Sequence, residues 1–247
     1  MLQIKNLKIW VEEKIILENI NINFEIWKNY LLVWKNWSWK SSLANFLMWN
    51  PKYKYIEWNI TLEWENLLNM TPDERSLNWL FLCFQNIPEI PWIKLSEYLR
   101  IIYNNKIKLD SSFIKSWLKE ISPFIFKRLI QKYLIDLDIP ENFLQRELNV
   151  WFSWWEKRKI ELLQTMLLNP KYIILDEIDS WLDLDSFKKV LNLITKINNT
   201  SNSIIIITHN FDIINYLNFD KVFLLEKWQI IQHWWLEIIE NIKNKWY

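Results

Sequence analysis

The amino-acid sequence predicts an α/β chain with a mixed, mostly parallel sheet core, an antiparallel β subdomain at the front and an inserted helical subdomain. Three patterns carry that expectation. Residues Leu2 to Ile9 and Ile15 to Ile26 alternate polar and apolar with period two, as half-buried antiparallel strands do. Short continuous apolar runs (YLLV at 30–33, LFLCF at 80–84, YIIL at 172–175, SIIIIT at 203–208) read as strands buried on both faces, with helical segments between them. From 88 to 150 helical periodicity with charged faces takes over, in LSEYLRIIY, FIKSWLKEI and FKRLIQKYLIDL, bounded by Pro88, Pro91 and Pro140. This segment is expected to form the helical subdomain, with 1–87 and 151–247 as the core.

The remaining elements follow in order. A loop, WKNWSWKSS, separates YLLV from the helical pattern SLANFLM. Ile56 to Leu68 return to alternation, and Thr71-Pro72-Asp73-Glu74 reads as a helix start with proline in its first turn. Helices are expected at Glu156 to Leu168 and Leu184 to Ile197, and a two-strand tail at Val222 to Gln232. No internal repeat, low-complexity linker or long heptad array is present.

The chain has 247 residues, 51% hydrophobic and 24% charged, enough for one α/β core with a subdomain, which excludes disordered and fibrous classes. Thirty basic against 29 acidic residues leave a formal charge of +1, so net charge gives no basis for a nucleic-acid partner. The single cysteine, Cys83, excludes an intrachain disulfide or a multi-cysteine metal site and reads as a buried apolar residue, in keeping with a reducing cytosol. The N-terminus lacks the apolar stretch of a signal peptide, and no window reaches ~18 uninterrupted apolar residues. A soluble, cytoplasmic protein without direct membrane insertion is expected.

Two counts fit no ordinary globular chain. Glycine is 0, where average usage predicts roughly 17 residues, and tryptophan is 19. Glycine supplies positive φ in turns and helix caps at no steric cost, so an α/β fold without it is physically odd. Alanine is also reduced to Ala44, while Ile, Asn, Lys and Leu abound, as an AT-rich gene would favour. The expectation is that UGA, written here as tryptophan, encodes glycine in the source.

With that substitution the loop after YLLV, Trp34 to Ser42, reads GKNGSGKSS and satisfies G-x-x-x-x-G-K-[ST] between a strand and a helix. Trp34, Lys35, Asn36, Trp37, Ser38, Trp39, Lys40, Ser41 and Ser42 are then the ATP-binding loop. Backbone N–H groups curl around phosphate oxygens, the helix N-terminus adds a positive dipole, Lys40 reaches the β and γ phosphates, and Ser41 ligates Mg²⁺. Read literally, three indoles would fill the phosphate cavity. KYIILDE at 171–177 is an apolar strand ending in two carboxylates, Asp176 for Mg²⁺ through water and Glu177 to polarise the attacking water.

NVWFSWWEKRKIELLQ becomes NVGFSGGEKRKIELLQ, and here the chain resembles the ABC-type ATPases, whose signature motif is carried by Ser153, Trp154, Trp155 and Glu156. The resemblance implies that this motif touches the γ-phosphate of ATP held by the opposite subunit. Ser153 with Glu156 also reads as a helix-capping box, which does not compete. Gln85 falls at the family's Q-loop glutamine, which senses Mg²⁺ and water. Asp179, Ser180, Trp181, Leu182 and Asp183 match the D-loop, and His209 matches the switch histidine. Seven tryptophans (34, 37, 39, 79, 154, 155 and 181) stand where such an ATPase needs a glycine or very small residue.

Within that class the chain resembles the SufC family over nearly its whole length, on GxPKY after the loop helix, GxITxxGENLL, the PDER turn, GLFLxFQ with PEIPG, NVGFSGGEKRK and ILDEIDSGLDLDSFK. Transporter subunits usually end the signature in glutamine, where this chain has Glu156. The resemblance implies a Mg²⁺-dependent ATPase of iron-sulfur cluster assembly, with catalytic residues Glu177, His209 and Gln85 and Mg²⁺ organised by Ser41, Gln85 and Asp176. It further implies SufB-like and SufD-like scaffold partners bound around residues 85–100, and a transient ATP-dependent homodimer. Two departures stand out: NIPEIP at Asn86–Pro91 replaces a tyrosine-containing YPVEIP-like run, and no aromatic lies within Val11 to Ile16 to stack on adenine. Two other readings remain open: the ATP-binding subunit of an ABC membrane transporter, and an aromatic-rich interaction protein that binds no nucleotide.

Overall fold

The structure, a computed structural model, describes residues 1–11, 14–34, 40–49, 52, 54–55, 59–63, 65–109, 120–178, 184–198, 201–226 and 229–234. Strands β1 (Leu2–Val11), β2 (Lys14–Phe24) and β3 (Tyr30–Trp34) lead into helix α1 (Lys40–Leu47). Strands β4 (Lys54–Tyr55), β5 (Asn59–Leu62) and β6 (Glu65–Asn66) precede α2 (Pro72–Asn78) and β7 (Leu80–Cys83). Next come β8 (Ile90–Lys94), α3 (Leu95–Leu109), α4 (Pro123–Asp136), β9 (Glu147–Leu148) and α5 (Trp154–Leu168). The chain continues through β10 (Tyr172–Asp176), α6 (Leu184–Ile197), β11 (Ser203–Thr208), β12 (Lys221–Glu226) and β13 (Gln229–Trp234).

The chain divides into two units, Met1–Gln85 with Lys171–Tyr247, and Asn86–Pro170. In the first, the alternating front becomes an antiparallel sheet of order β2-β1-β5-β6, with β4 also on β1. The continuous apolar runs become a second sheet, β13-β12-β3-β11-β10-β7, in which every neighbouring pair is parallel except the β12–β13 hairpin. Every residue of β7, β10 and β11 is buried, which is why those strands read as unbroken apolar runs rather than alternation.

Tyr172, the first residue of β10, joins the two sheets. Its hydroxyl donates to the Phe24 carbonyl and accepts from the Leu2 amide, both at 2.9 Å, so one buried phenol satisfies a group at the end of β2 and another at the start of β1. The Tyr30 hydroxyl accepts from the Glu25 amide at 2.7 Å while its ring packs edge-on to Phe24. Arg75 is buried in α2 and donates to the carbonyls of Leu47, Leu67 and Met70 at 2.7, 2.6 and 3.2 Å, which pins the C-terminal end of α1. Burial pushes its guanidinium down to about 10.

In the second unit α3, α4 and α5 pack pairwise, burying Leu95, Leu99, Phe126, Ile130, Ile160 and Leu163. Two features differ from the sequence expectation. Residues 90–94, placed in the helical subdomain, form an exposed strand whose Ile90 pairs with Leu148 of β9. The second unit also runs on from 151 to 170, because the apolar face of α5 packs on α3 and α4. The expected helix at FIKSWLKEI lies outside the described residues up to 119.

Tyr172→Phe leaves the Leu2 N–H and the Phe24 C=O buried without their partner and should cost about 1–3 kcal/mol in urea unfolding, with an unchanged m-value. Burial raises the pKa of both phenols, Tyr30 to about 12. An unfolded tyrosine ionises near pH 10, so this contribution is complete below about pH 10 and is lost as pH rises through the folded values. Denaturation midpoints measured from pH 9 to 12 should therefore fall, less steeply in Tyr30→Phe.

Candidate functional site

The parallel ladders of the first unit set the level at which each strand ends. Leu175 pairs with Cys83 and Ile206, and Thr208 pairs with Val33. Two residues beyond the Leu175–Cys83 pair, Gln85 and Glu177 meet: Gln85 Nε2 donates to Glu177 Oε2 at 2.5 Å. The Glu177 amide donates to the Ile207 carbonyl at 2.9 Å, and His209, next after β11, brings Nδ1 to 3.9 Å from Glu177 Oε1. Three residues far apart in sequence are thus gathered on one carboxylate. Asp176 and Glu177 are both buried, and Glu177 has φ 47°, a left-handed conformation that costs a β-carbon-bearing residue energy and clusters at functional sites.

The phosphate-loop residues fall between β3 and α1, the strand–loop–helix order the motif requires. Trp34 ends β3, Lys40 and Ser41 open α1, and Ser42 is buried. Lys35, Asn36, Trp37, Ser38 and Trp39 lie outside the described residues, as do Asp179, Ser180, Trp181, Leu182 and Asp183. Val33 sits beside Thr208 in the ladder, so the loop departs next to the strand that delivers His209.

In the second unit, α5 opens with the capping box that Ser153 and Glu156 announce. The Ser153 Oγ accepts from the Glu156 amide at 3.3 Å, and Glu156 Oε2 accepts from the Ser153 amide at 2.8 Å. Trp154 and Trp155 occupy the first turn, stacked on cations of the same helix, Arg158 at 5.0 Å and Lys159 at 5.8 Å. Arg158 is almost fully buried and pairs with buried Glu161 at 2.5 Å. The sequence shows this stretch only as a basic helix, since i,i+3 charge pairs look the same on a surface.

No protein-family model matches the chain. It is 34% identical over 247 residues to the "Probable ATP-dependent transporter ycf16" of Cyanidium caldarium, covering 100% of this chain and 95% of that one. It is 33% identical over 249 residues to the "Iron-sulfur cluster assembly protein SufC" of Plasmodium falciparum (isolate 3D7), covering 100% of this chain and 70% of that one. The chain belongs to the SufC and ycf16 family of ABC-type ATPases. Its fold is that of solved ABC cassettes: an ATP-binding subunit of an ABC transporter superposes with TM-score 0.76 at 17% identity, covering 99% of this chain and 93% of that one. The cassette MJ0796 bound to ADP and Pi superposes with TM-score 0.73 at 19% identity, covering 96% and 99%. Among the described residues no helix is long and apolar enough to cross a membrane.

Among the described residues of this SufC-family chain, four tryptophans have left-handed backbone: Trp27 (φ 73°), Trp49 (61°), Trp92 (73°) and Trp151 (58°). For a bulky aromatic this is an outlier, and it is the region glycine enters freely. Trp92 and Trp151 are 88% and 90% exposed, so no packing compensates. Trp92→Gly and Trp151→Gly should each stabilise the chain by about 1 kcal/mol through relief of the left-handed penalty. Urea midpoints that stay level or fall would contradict this.

Proposed function

We propose that the chain hydrolyses ATP in an ATP-dependent homodimer and so drives conformational change in a SufB-like and SufD-like scaffold of cytoplasmic iron-sulfur cluster assembly. The observation that carries this reading is the convergence of Gln85 and His209 on Glu177 at the edge where the phosphate-loop strand also ends. Glu177 is the base that orients the attacking water, Gln85 holds one of its oxygens, and His209 stands on the side of the other, steadying the γ-phosphate. Lys40 and the loop amides neutralise phosphate charge. Ser153 and the first turn of α5 meet the γ-phosphate of ATP bound by the second copy.

The donors near Glu177 suit Mg²⁺: Asp176 is a buried carboxylate at the strand end, and the Gln85 amide, with Nε2 committed to Glu177, has its oxygen left to offer. Ser41, Asp176 and Gln85 would hold the ion, which neutralises charge on the transferring phosphoryl group. The left-handed tryptophans support a further part of the reading: the nineteen tryptophan positions are glycine in the native protein, read from UGA. With indoles at 154 and 155 the first turn of α5 is crowded where a phosphate should approach its amides. A protein with tryptophan at all nineteen positions is the nucleotide-free interaction protein instead.

The second reading, the ATP-binding subunit of a membrane transporter, is favoured by the ycf16 relatives, which are named probable ATP-dependent transporters. Co-purification separates the two: SufB-like and SufD-like proteins support the first, a membrane permease the second. The coding triplets at the nineteen positions, with an intact mass of the natively expressed chain, should show UGA and a mass lower by nineteen Trp-to-Gly differences; UGG and the heavier mass refute the glycine reading. Glu177→Gln should keep ATP affinity within about twofold, lower kcat by a factor of 10² or more, and trap the dimer with ATP in size-exclusion chromatography. Undiminished turnover would remove Glu177 from its role.

A further inference from the structure

Arg146 lies outside every motif, yet it makes the contacts that shape the turn before the signature helix. It follows the 3₁₀ turn Glu141–Gln145, and Nη2 donates to the Trp151 carbonyl at 2.6 Å and to the Val150 carbonyl at 3.4 Å. Its guanidinium carbon lies 3.6 Å from the centre of the Phe152 ring and 5.1 Å from that of Phe143, two rings that pack edge-on at 4.8 Å. Among the described residues it has no carboxylate partner, so its charge is spent on main-chain oxygens and aromatic faces. One nitrogen of the guanidinium, Nη2, serves both carbonyls while the planar group stacks on the Phe152 ring, which the ammonium of a lysine would not do.

The turn it holds is a strained one. Asn149 and Trp151 are both left-handed, at φ 62° and 58°. Asn149 is buried, donates Nδ2 to the Pro88 carbonyl at 2.9 Å, and its Oδ1 accepts no hydrogen bond among the described residues. The Val150 amide donates to the Glu147 carbonyl at 3.2 Å. Phe152, under the guanidinium, is followed directly by Ser153, the cap of α5. A backbone with two left-handed residues in three does not keep one shape from local preference, so something outside must over-determine it.

We propose that Arg146 is the positioning residue of the signature motif: by clamping the Val150 and Trp151 carbonyls and the Phe152 ring, it sets the angle at which Ser153 and the α5 N-terminus face a nucleotide held by a second copy of this chain. The inference rests on the composite-dimer reading above. Both hydrogen-bond acceptors are main chain, so the clamp is the same whether residue 151 is an indole or a glycine. Arg146 acts through Ser153 and touches no nucleotide itself. Loss of the clamp therefore weakens the contact made in trans and leaves the phosphate loop of the same chain as it was.

The test uses the full chain carrying whichever residue the native protein has at the nineteen positions. Arg146→Met should lower kcat at least tenfold and reduce ATP-dependent dimer, while the Kd for ATP of the monomer stays within twofold. Arg146→Lys, which keeps one donor and loses the stacking, should fall between. A mixing experiment separates positioning from misfolding. Arg146→Met mixed with Lys40→Ala should recover turnover, because one composite site then combines an intact loop with an intact signature, as Ser153→Ala mixed with Lys40→Ala should. Arg146→Met mixed with Ser153→Ala should not. Unchanged kcat in Arg146→Met, or failure of its mixture with Lys40→Ala where the Ser153→Ala mixture recovers, overturns the inference. If neither mixture recovers, the composite-dimer reading itself falls, and the role of Arg146 with it.

Discussion

The axial position of β10 is the constraint on which the candidate site depends. The strand carries Asp176 and Glu177 at its end, and a slip of one residue would exchange the faces on which the two carboxylates lie. Apolar residues on both faces do not resist such a slip well, since Ile173, Ile174 and Leu175 are nearly interchangeable in a buried environment. Tyr172 does resist it. Its hydroxyl is held by the Leu2 amide and the Phe24 carbonyl, so the start of β10 has one place to be, and the ladder then puts Leu175 level with Cys83 and Ile206. The meeting of Gln85, Glu177 and His209 follows from that anchor at the other end of the strand.

Backbone handedness is the second constraint, and it sorts the residues that bear it. Asn6, Asn19, Asn149, Asn169 and Asp138 are left-handed, and asparagine and aspartate enter this region more readily than other residues that carry a β-carbon. Asn169 shows the usual use, closing α5 with its amide on the Thr165 carbonyl. Glu177 is left-handed where two other site residues meet it, so its strain has a functional setting. The four left-handed tryptophans have neither excuse. Trp92 and Trp151 point into solvent, and Trp49 only lies against the Arg75 guanidinium at 4.7 Å. Trp27, Trp49, Trp92 and Trp151 hold a backbone conformation that glycine enters freely and an aromatic residue does not.

The sequence was legible wherever structure follows from local chemistry. The runs YIIL and SIIIIT became β10 and β11, Leu184–Ile197 became α6 with the expected bounds, α2 starts after Thr71 with Pro72 in its first turn, and the Ser153–Glu156 capping box formed as its spacing implied. Motif and resemblance single out Gln85, Glu177 and His209, but not the contacts among them, because Gln85 and Glu177, 92 positions apart, meet only through the strand ladder. The β8–β9 pair escaped notice because β9 has two residues and β8 contains Pro91, so neither shows period-two alternation. The membership of α5 in the second unit was hidden too, since an apolar helix face says that it will be covered but not by what.

Side-chain clamps on main-chain oxygens were the least visible feature of the architecture. Arg75 ends on three carbonyls, Arg146 on two carbonyls and two rings, and Asn149 on one carbonyl. These clamps grip main-chain oxygens, which every residue supplies in the same place. The fold therefore rests on backbone groups and on the Ile-rich and Leu-rich core, neither of which depends on the side chain at an exposed turn position such as Trp92 or Trp151. Phosphate chemistry differs in kind. Binding an anion at a helix end needs amides that a ligand can reach, and the Trp154 and Trp155 rings lie on the first turn of α5 near Arg158 and Lys159. The chain with its indoles thus keeps the fold of an ABC cassette, while the helix end carries two rings beside its amides.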